Sequence, residues 1–186
     1  LPLKFDELGW DVAFASVQKA FAIPPGFAVA VVSDRALEKS KTVPNRGYYF
    51  NFELWAKSAA KDQTLVTPSI PHVMALNYQC KKLVNEGIEN VWKRHREMAE
   101  YVRGWAKENF ALFCDEQYAS DTLTTIKNTE GINVAETIKA LQEKHNTVFG
   151  NGYGKIKEET FRIAHMGDIS LDDLNELIGW IEEEIK

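Results

Sequence analysis

Val12-Ala13-Phe14-Ala15-Ser16-Val17-Gln18-Lys19 leads an apolar stretch into a lysine, and Ile23-Pro24-Pro25-Gly26 then turns the chain into Phe27-Ala28-Val29-Ala30-Val31-Val32. Residues 12–15 and 27–32 read as strands on either side of a stiff turn. The second is apolar at every position, the pattern of a strand covered on both faces within a sheet flanked by helices. Two such strands cannot bury themselves, since an isolated pair is at best marginally stable. Residues 1–50 offer little helical cover and no initiator methionine, so the chain reads as the C-terminal part of a longer protein. Lys19 then stands at a strand tip among apolar neighbours. An ammonium there loses hydration, which favours the neutral amine. A neutral lysine amine is the nucleophile that condenses with carbonyl compounds. The competing reading is a strand-end lysine whose stem packs on the sheet while its head reaches water.

Composition narrows the class. The 186 residues are 45% hydrophobic and 26% charged with a net charge of −5, the balance of a soluble globular protein. No lysine- or arginine-rich run marks a nucleic-acid surface. The longest apolar run, residues 27–32, is too short to cross a bilayer, and the first residues lack the apolar stretch of a secretory signal. The expected partners therefore include neither nucleic acid nor membrane, and the expected compartment is the cytoplasm. Cys80 and Cys114 have neither metal nor redox spacing and are expected to be reduced core thiols. His72, His95, His145 and His165 show no paired spacing for zinc, so no metal site is expected. Residues 150–154 lack the spacing of a phosphate-binding loop and read as a flexible turn.

Further along, Ser33 or Asp34 caps a short helix, and residues 42–71 are irregular apart from a helical patch near 52–60. The cluster Tyr48-Tyr49-Phe50 is too apolar for a free linker, which points to ordering by a partner. Helices are predicted over 72–84, from the spacing of Val73, Leu76, Cys80 and Leu83, and over 88–107. The second repeats Ile88, Val91, Trp92, Met98, Ala99, Val102 and Trp105 on one side, a core stripe. Strands follow at 110–114 and 123–127. Asn133 with Glu136 has the form of a capping box, opening a helix that repeats Val134, Ile138 and Leu141. Strands at 147–149 and 160–165 lead to a last helix that opens at Ser170 with Asp173 and buries Leu171, Leu174, Ile178, Ile181 and Ile185. This order suits a small sheet covered on one face by helices, an α+β lobe. On the strand at 160–165, alternation puts Phe161, Ile163 and His165 on one face and Arg162 with Ala164 on the other. A guanidinium there can grip a carboxylate through two parallel hydrogen bonds, or can be a solvated strand arginine.

The run Asp11-Val12-Ala13-Phe14-Ala15-Ser16-Val17-Gln18-Lys19-Ala20-Phe21 resembles the cofactor-lysine segment of class V, fold-type I aminotransferases. Within that family the closer likeness is to the serine–pyruvate and alanine–glyoxylate group, in which Ser/Gly-x-Gln-Lys-Ala carries the lysine bound to pyridoxal 5′-phosphate (PLP). The likeness continues in order through Pro24-Pro25-Gly26, Thr67-Pro68-Ser69-Ile70-Pro71, Glu86-Gly87-Ile88-Glu89-Asn90-Val91-Trp92 with His95-Arg96, and Phe161-Arg162-Ile163-Ala164-His165-Met166-Gly167. It covers nearly the whole chain.

The resemblance implies an α/β fold: the end of the PLP-transferase large domain followed by a small α+β C-terminal domain. Residues 1–71 would be the remnant of the cofactor domain with a dimer-contact loop, 72–109 linking helices, and 110–186 the small domain. It implies that Lys19 is the catalytic and cofactor-binding lysine and that Gln18 contacts the cofactor phosphate. Thr67, ahead of Ser69, would reach the phosphate of the neighbouring subunit in a homodimer. Arg162 would bind the substrate α-carboxylate. A tyrosine phosphate contact of some relatives has no match, since Leu65 and Val66 stand upstream of Thr67. The acid facing the pyridine nitrogen and the ring-stacking residue would lie in the preceding, missing N-terminal part. The implied reaction is transamination between a small amino acid, serine or alanine, and a 2-oxo acid, glyoxylate or pyruvate. Phosphoserine aminotransferase and a PLP-dependent lyase on the same fold are the enzymatic alternatives. The non-catalytic alternative is a truncated fragment that supplies only dimer contacts.

Overall fold

A computed structural model describes residues 2–186, which divide into two compact units, 2–85 and 86–186. In the first, β1 (Val12–Ser16) and β2 (Ala28–Val32) form an antiparallel ribbon with Val12 opposite Val32 and Ser16 opposite Ala28. The ribbon is fastened at its open end. Arg35 donates from Nε and Nη2 to the two Asp11 carboxylate oxygens at 2.8 and 2.9 Å, and the Ser33 hydroxyl donates to Asp11 Oδ1 at 2.7 Å. These donors hold the Asp11 carboxyl below its usual range, the Arg35 hydrogen bond most of all. Ser33 also caps α1 (Asp34–Ser40) by accepting from Ala36 N, and Asn51 caps α2 (Phe52–Ala59) by accepting from Leu54 N. The helix α3 (Ile70–Glu86) follows.

This unit has little core of its own. Among its described residues only Val17, Ile23 and Gln79 are buried. The expectation that residues 27–32 are covered on both faces is not met by this chain: Ala28, Ala30 and Val31 are exposed, and Phe14 on the partner strand is 79% exposed. Cys80 is likewise exposed rather than a core thiol, and so is Cys114 in the second unit; both are free. On α3 the amphipathic stripe is weak, with Val73 exposed and Leu76 and Leu83 half-buried.

The second unit is built conventionally. Its elements are α4 (Ile88–Asn109), β3 (Ala111–Leu112), β4 (Leu123–Lys127), α5 (Val134–His145), β5 (Gly150–Asn151), β6 (Thr160–Ala164) and α6 (Leu171–Glu184). The strands form a four-stranded sheet in the order β3-β4-β6-β5, every neighbouring pair antiparallel. Thr124 and Ile126 on β4 and Phe161 and Ile163 on β6 are buried on one face, where α4, α5 and α6 supply Met98, Val102, Trp105, Leu141, Leu174 and Ile181. Phe161 sits at the centre, with Trp105, Phe110 and Phe149 ring centroids 6.5, 5.1 and 5.5 Å away. The helical cover on one face of a small sheet is the predicted α+β arrangement.

Several boundaries differ from the prediction. The strand expected over 110–114 shrinks to Ala111–Leu112, because Phe110 turns into the core as it leaves α4. The strand expected at 147–149 is instead Gly150–Asn151, which pairs with Arg162 and Phe161 and is not a free turn. Ser170 and Asp173 form a complete capping box on α6. Asn133 caps α5 by accepting from Glu136 N, but the neighbouring donor Val134 N is taken by the Glu158 carboxylate at 2.8 Å. On α6 Leu171 is 43% exposed and Leu177 is buried in its stead. Ile88 on α4 is also exposed. No helix among the described residues is long and apolar enough to cross a membrane.

Candidate functional site

Strand β1 ends at Ser16, and residues 17–27 close a loop before β2 begins. Val17 N donates to the Phe27 carbonyl and Ile23 N to the Val17 carbonyl, both at 3.3 Å, and Val17 and Ile23 are the buried residues of the loop. Within that frame Ala22 N donates to the Lys19 carbonyl at 2.9 Å, so Lys19 opens a tight turn. Its side chain is exposed. The apolar surroundings expected for it are therefore not found among the described residues: Val17 and Ile23 are buried while Lys19 is exposed. Gln18 is also exposed, and it lies beyond the strand, which stops at Ser16.

The segment 67–72 carries two hydroxyls in different states. His72 Nε2 lies 3.0 Å from the Pro25 carbonyl, which only accepts, so a neutral ring carries its proton there. Its Nδ1 then accepts from the Ser69 hydroxyl at 2.7 Å, and the ring stacks on Phe27 with centroids 6.1 Å apart. His72 thus ties the residue 67–72 segment to the end of the Lys19 loop, and the Ser69 proton is occupied. The Thr67 hydroxyl is exposed and makes no hydrogen bond among the described residues. The structure separates two hydroxyls that the sequence leaves nearly equivalent.

In the second unit Arg162 lies on the sheet face away from the core, as alternation predicts, in a cross-strand row with Thr125 and Gly150. Its Nε donates to the Asn151 carbonyl at 3.0 Å, and Cζ stands 3.9 Å from the centroid of the Tyr153 ring. The Nη1–Nη2 edge of the guanidinium is then the one that can take a carboxylate end-on.

Behind β6 lies a buried polar network that periodicity did not reveal. His165 donates from Nδ1 to the Asp121 carbonyl at 3.1 Å and accepts at Nε2 from the Thr124 hydroxyl at 2.8 Å. His95 donates from Nδ1 to the Val91 carbonyl at 2.7 Å and accepts at Nε2 from Gly167 N at 3.2 Å. Arg94 pairs with Glu86 at 2.8 Å and donates to the Gly167 and Ile169 carbonyls at 3.1 and 3.3 Å. The segment after β6 is thereby clamped to α4. Burial pushes His165 down to about 4, with Arg103 and His95 adding positive charge nearby, and burial lowers His95 too. Both imidazoles are structural. Among the described residues no cluster of His, Cys, Asp and Glu could hold a metal ion.

Residues 1–153 match the family model of class-V aminotransferases. The chain belongs to the class-V aminotransferase family. It is 31% identical over 96% of its length to the L-aspartate–glyoxylate aminotransferase of Paracoccus denitrificans, and 32% identical over 91% to the serine–glyoxylate aminotransferase of Methylorubrum extorquens. These alignments cover 45% and 44% of the relatives, so the chain spans about half the length of the curated relatives it matches. A crystal structure of alanine–glyoxylate aminotransferase from Nostoc superposes with a TM-score of 0.92 at 26% identity, over 100% of this chain and 51% of that one. The α/β class-V fold expected from the ordered resemblance along the chain is the fold found, and the family implies PLP as cofactor. Arg162 lies beyond the residues matched by the family model but within the span of the Nostoc superposition.

Proposed function

We propose that the chain carries the cofactor lysine and the carboxylate arginine of a PLP-dependent transaminase. The reaction moves an amino group from a small α-amino acid, serine or alanine, to glyoxylate or pyruvate. The observation that carries this reading is Lys19: an exposed amine presented by a loop closed by its own backbone hydrogen bonds, in a chain of the class-V family.

The residues present suit the cofactor. An exposed primary amine can condense with an aldehyde, and the unpartnered Thr67 hydroxyl and exposed Gln18 amide are donors of the kind a phosphate takes up. When bound, PLP supplies an electron sink for charge developing at the substrate α-carbon. Lys19 would then be the residue that takes the α-carbon proton as a base and gives it up again as an acid. Arg162 would bind the α-carboxylate of the substrate through the paired donors of its guanidinium. Thr67 donates to the cofactor phosphate of the neighbouring subunit of a homodimer, with Ser69 held back by His72. The exposed Phe14, Val31 and Phe50 support cover by the preceding part of the same polypeptide and by the second subunit. The expected compartment is the cytoplasm, and residues 1–71, 72–109 and 110–186 are proposed as cofactor-domain remnant, linking helices and small domain.

The test is borohydride reduction of the protein incubated with PLP, followed by peptide mass mapping. A stoichiometric pyridoxyl mass on Lys19 is expected in the full-length protein. Label spread over surface lysines without preference for Lys19 would overturn the assignment. If it spreads only in the 186-residue chain, these residues alone do not complete a cofactor site.

A further inference from the structure

Arg162 does not swing freely. A Cβ placed on Gly150 would stand 2.9 Å from Nη2 and 3.3 Å from both Cζ and Nε, so the guanidinium lies against backbone that only a glycine leaves open. The Asn151 carbonyl takes Nε at 3.0 Å and the Tyr153 ring covers Cζ at 3.9 Å. All three contacts come from one short segment, and its shape is independently fixed. Gly152 has no room for a side chain, since a Cβ would fall 2.1 Å from the Ile156 carbonyl oxygen. Asn151 Oδ1 accepts from Gly152 N at 2.7 Å and Glu158 N at 3.0 Å. Tyr153 itself is 74% exposed, so core packing does not account for where its ring sits.

We propose that Gly150 and Tyr153 are positioning residues of the carboxylate grip. They set the Arg162 guanidinium in one orientation, with Nε engaged and the Nη1–Nη2 edge left for the α-carboxylate of an incoming amino acid. The side-chain entropy of the arginine is then largely lost before substrate binds. The cation–π contact adds attraction to the ring face without consuming a hydrogen-bond donor. The inference rests on the carboxylate role of Arg162 proposed above.

The test uses the full-length, PLP-loaded protein and compares single-turnover rates for an α-amino acid and for the amine lacking its carboxylate: alanine against ethylamine, serine against ethanolamine. The wild-type protein should favour the amino acid, and Arg162→Ala should collapse that preference. Tyr153→Ala should cut the amino-acid rate at low substrate by roughly two- to fivefold, the scale of an exposed cation–π contact. Gly150→Ala should cut it on the order of tenfold, the scale of a small misplacement at a positioned group. In both variants the amine rate should move less, and Tyr153→Phe should keep the preference.

A second readout is independent of turnover. In the 186-residue chain the Arg162 Nε–H resonance should carry a ring-current shift and exchange slowly with water, and Tyr153→Ala should remove the shift. If Arg162→Ala leaves the preference intact, the carboxylate role falls. If it collapses the preference while Tyr153→Ala and Gly150→Ala change neither ratio nor resonance, the positioning role falls and the carboxylate role stands.

Discussion

Lowering the pH should loosen the second unit through His165, and the size of the effect can be worked out. Nδ1 of the buried ring donates to the Asp121 carbonyl, and Nε2 accepts from Thr124. A second proton must go onto Nε2 of a fully buried ring, with the positive charge of Arg103 and His95 nearby. The ring's pKa falls from 6.5 to about 4 on folding. Between those values the unfolded chain binds the proton and the folded one does not, so stability is whole above pH 6.5 and declines as pH falls towards 4. The full difference is about 3 kcal/mol, of which about 2 kcal/mol is already lost at pH 5. His95 works in the same direction, since protonating its Nε2 turns an acceptor of Gly167 N into a donor facing a donor. Native-state hydrogen exchange at the β4–β6 amides, corrected for intrinsic rates, should show protection falling across this range. His165→Gln should flatten the profile by the stated amount, although it lowers protection at neutral pH by disturbing the core. An NMR titration of His165 with a midpoint near 6.5, or equal pH profiles for wild type and His165→Gln, would refute the reasoning.

Thr67→Ala should weaken PLP binding roughly tenfold or more in the full-length protein, the value of one hydrogen bond to a charged acceptor. Ser69→Ala should cost less, because His72 already holds that hydroxyl, and fluorescence titration with PLP separates the two. Phe161→Ala removes the ring at the centre of Trp105, Phe110 and Phe149 and should destabilise the second unit by about 3–5 kcal/mol in chemical denaturation. Ser170→Ala removes the hydroxyl half of the α6 capping box, leaving only the backbone bond from residue 170 to Asp173, and should cost about 1 kcal/mol, read as a lower melting temperature.

What the sequence made legible follows from which signals are local. Alternation through Phe161-Arg162-Ile163 separates a core face from an open face whatever surrounds the strand, so Arg162 was found on the correct side. Ser170 with Asp173 is equally self-contained, since cap and acceptor lie within one turn. His95 and Arg103 were missed because a helical stripe scored by apolar residues passes over polar members. The signal was present: Val91, His95, Met98 and Val102 recur at helical spacing on the buried side of α4. Gly150-Asn151 looked like a turn because glycine and asparagine favour turns. Its strand character comes from pairing with β6, a partner that local composition does not encode.

Lys19 shows the other limit. Local reading placed it correctly at the end of an apolar strand, yet it inferred dry surroundings from neighbours in sequence. In the fold Val17 and Ile23 are buried, and the lysine is left exposed. Apolar cover for this amine therefore has to come from groups distant in sequence. The exposed apolar ribbon beside it has the same requirement, since Phe14 and Val31 stabilise nothing until they are covered. Both deficits lie in the unit with the least core, whereas the 86–186 unit buries its aromatic centre with its own residues. A single covering surface that met both needs would couple folding of the ribbon to activation of the lysine. Dry, reactive Lys19 should accordingly appear only in the assembled protein, and selective pyridoxyl labelling should appear with it.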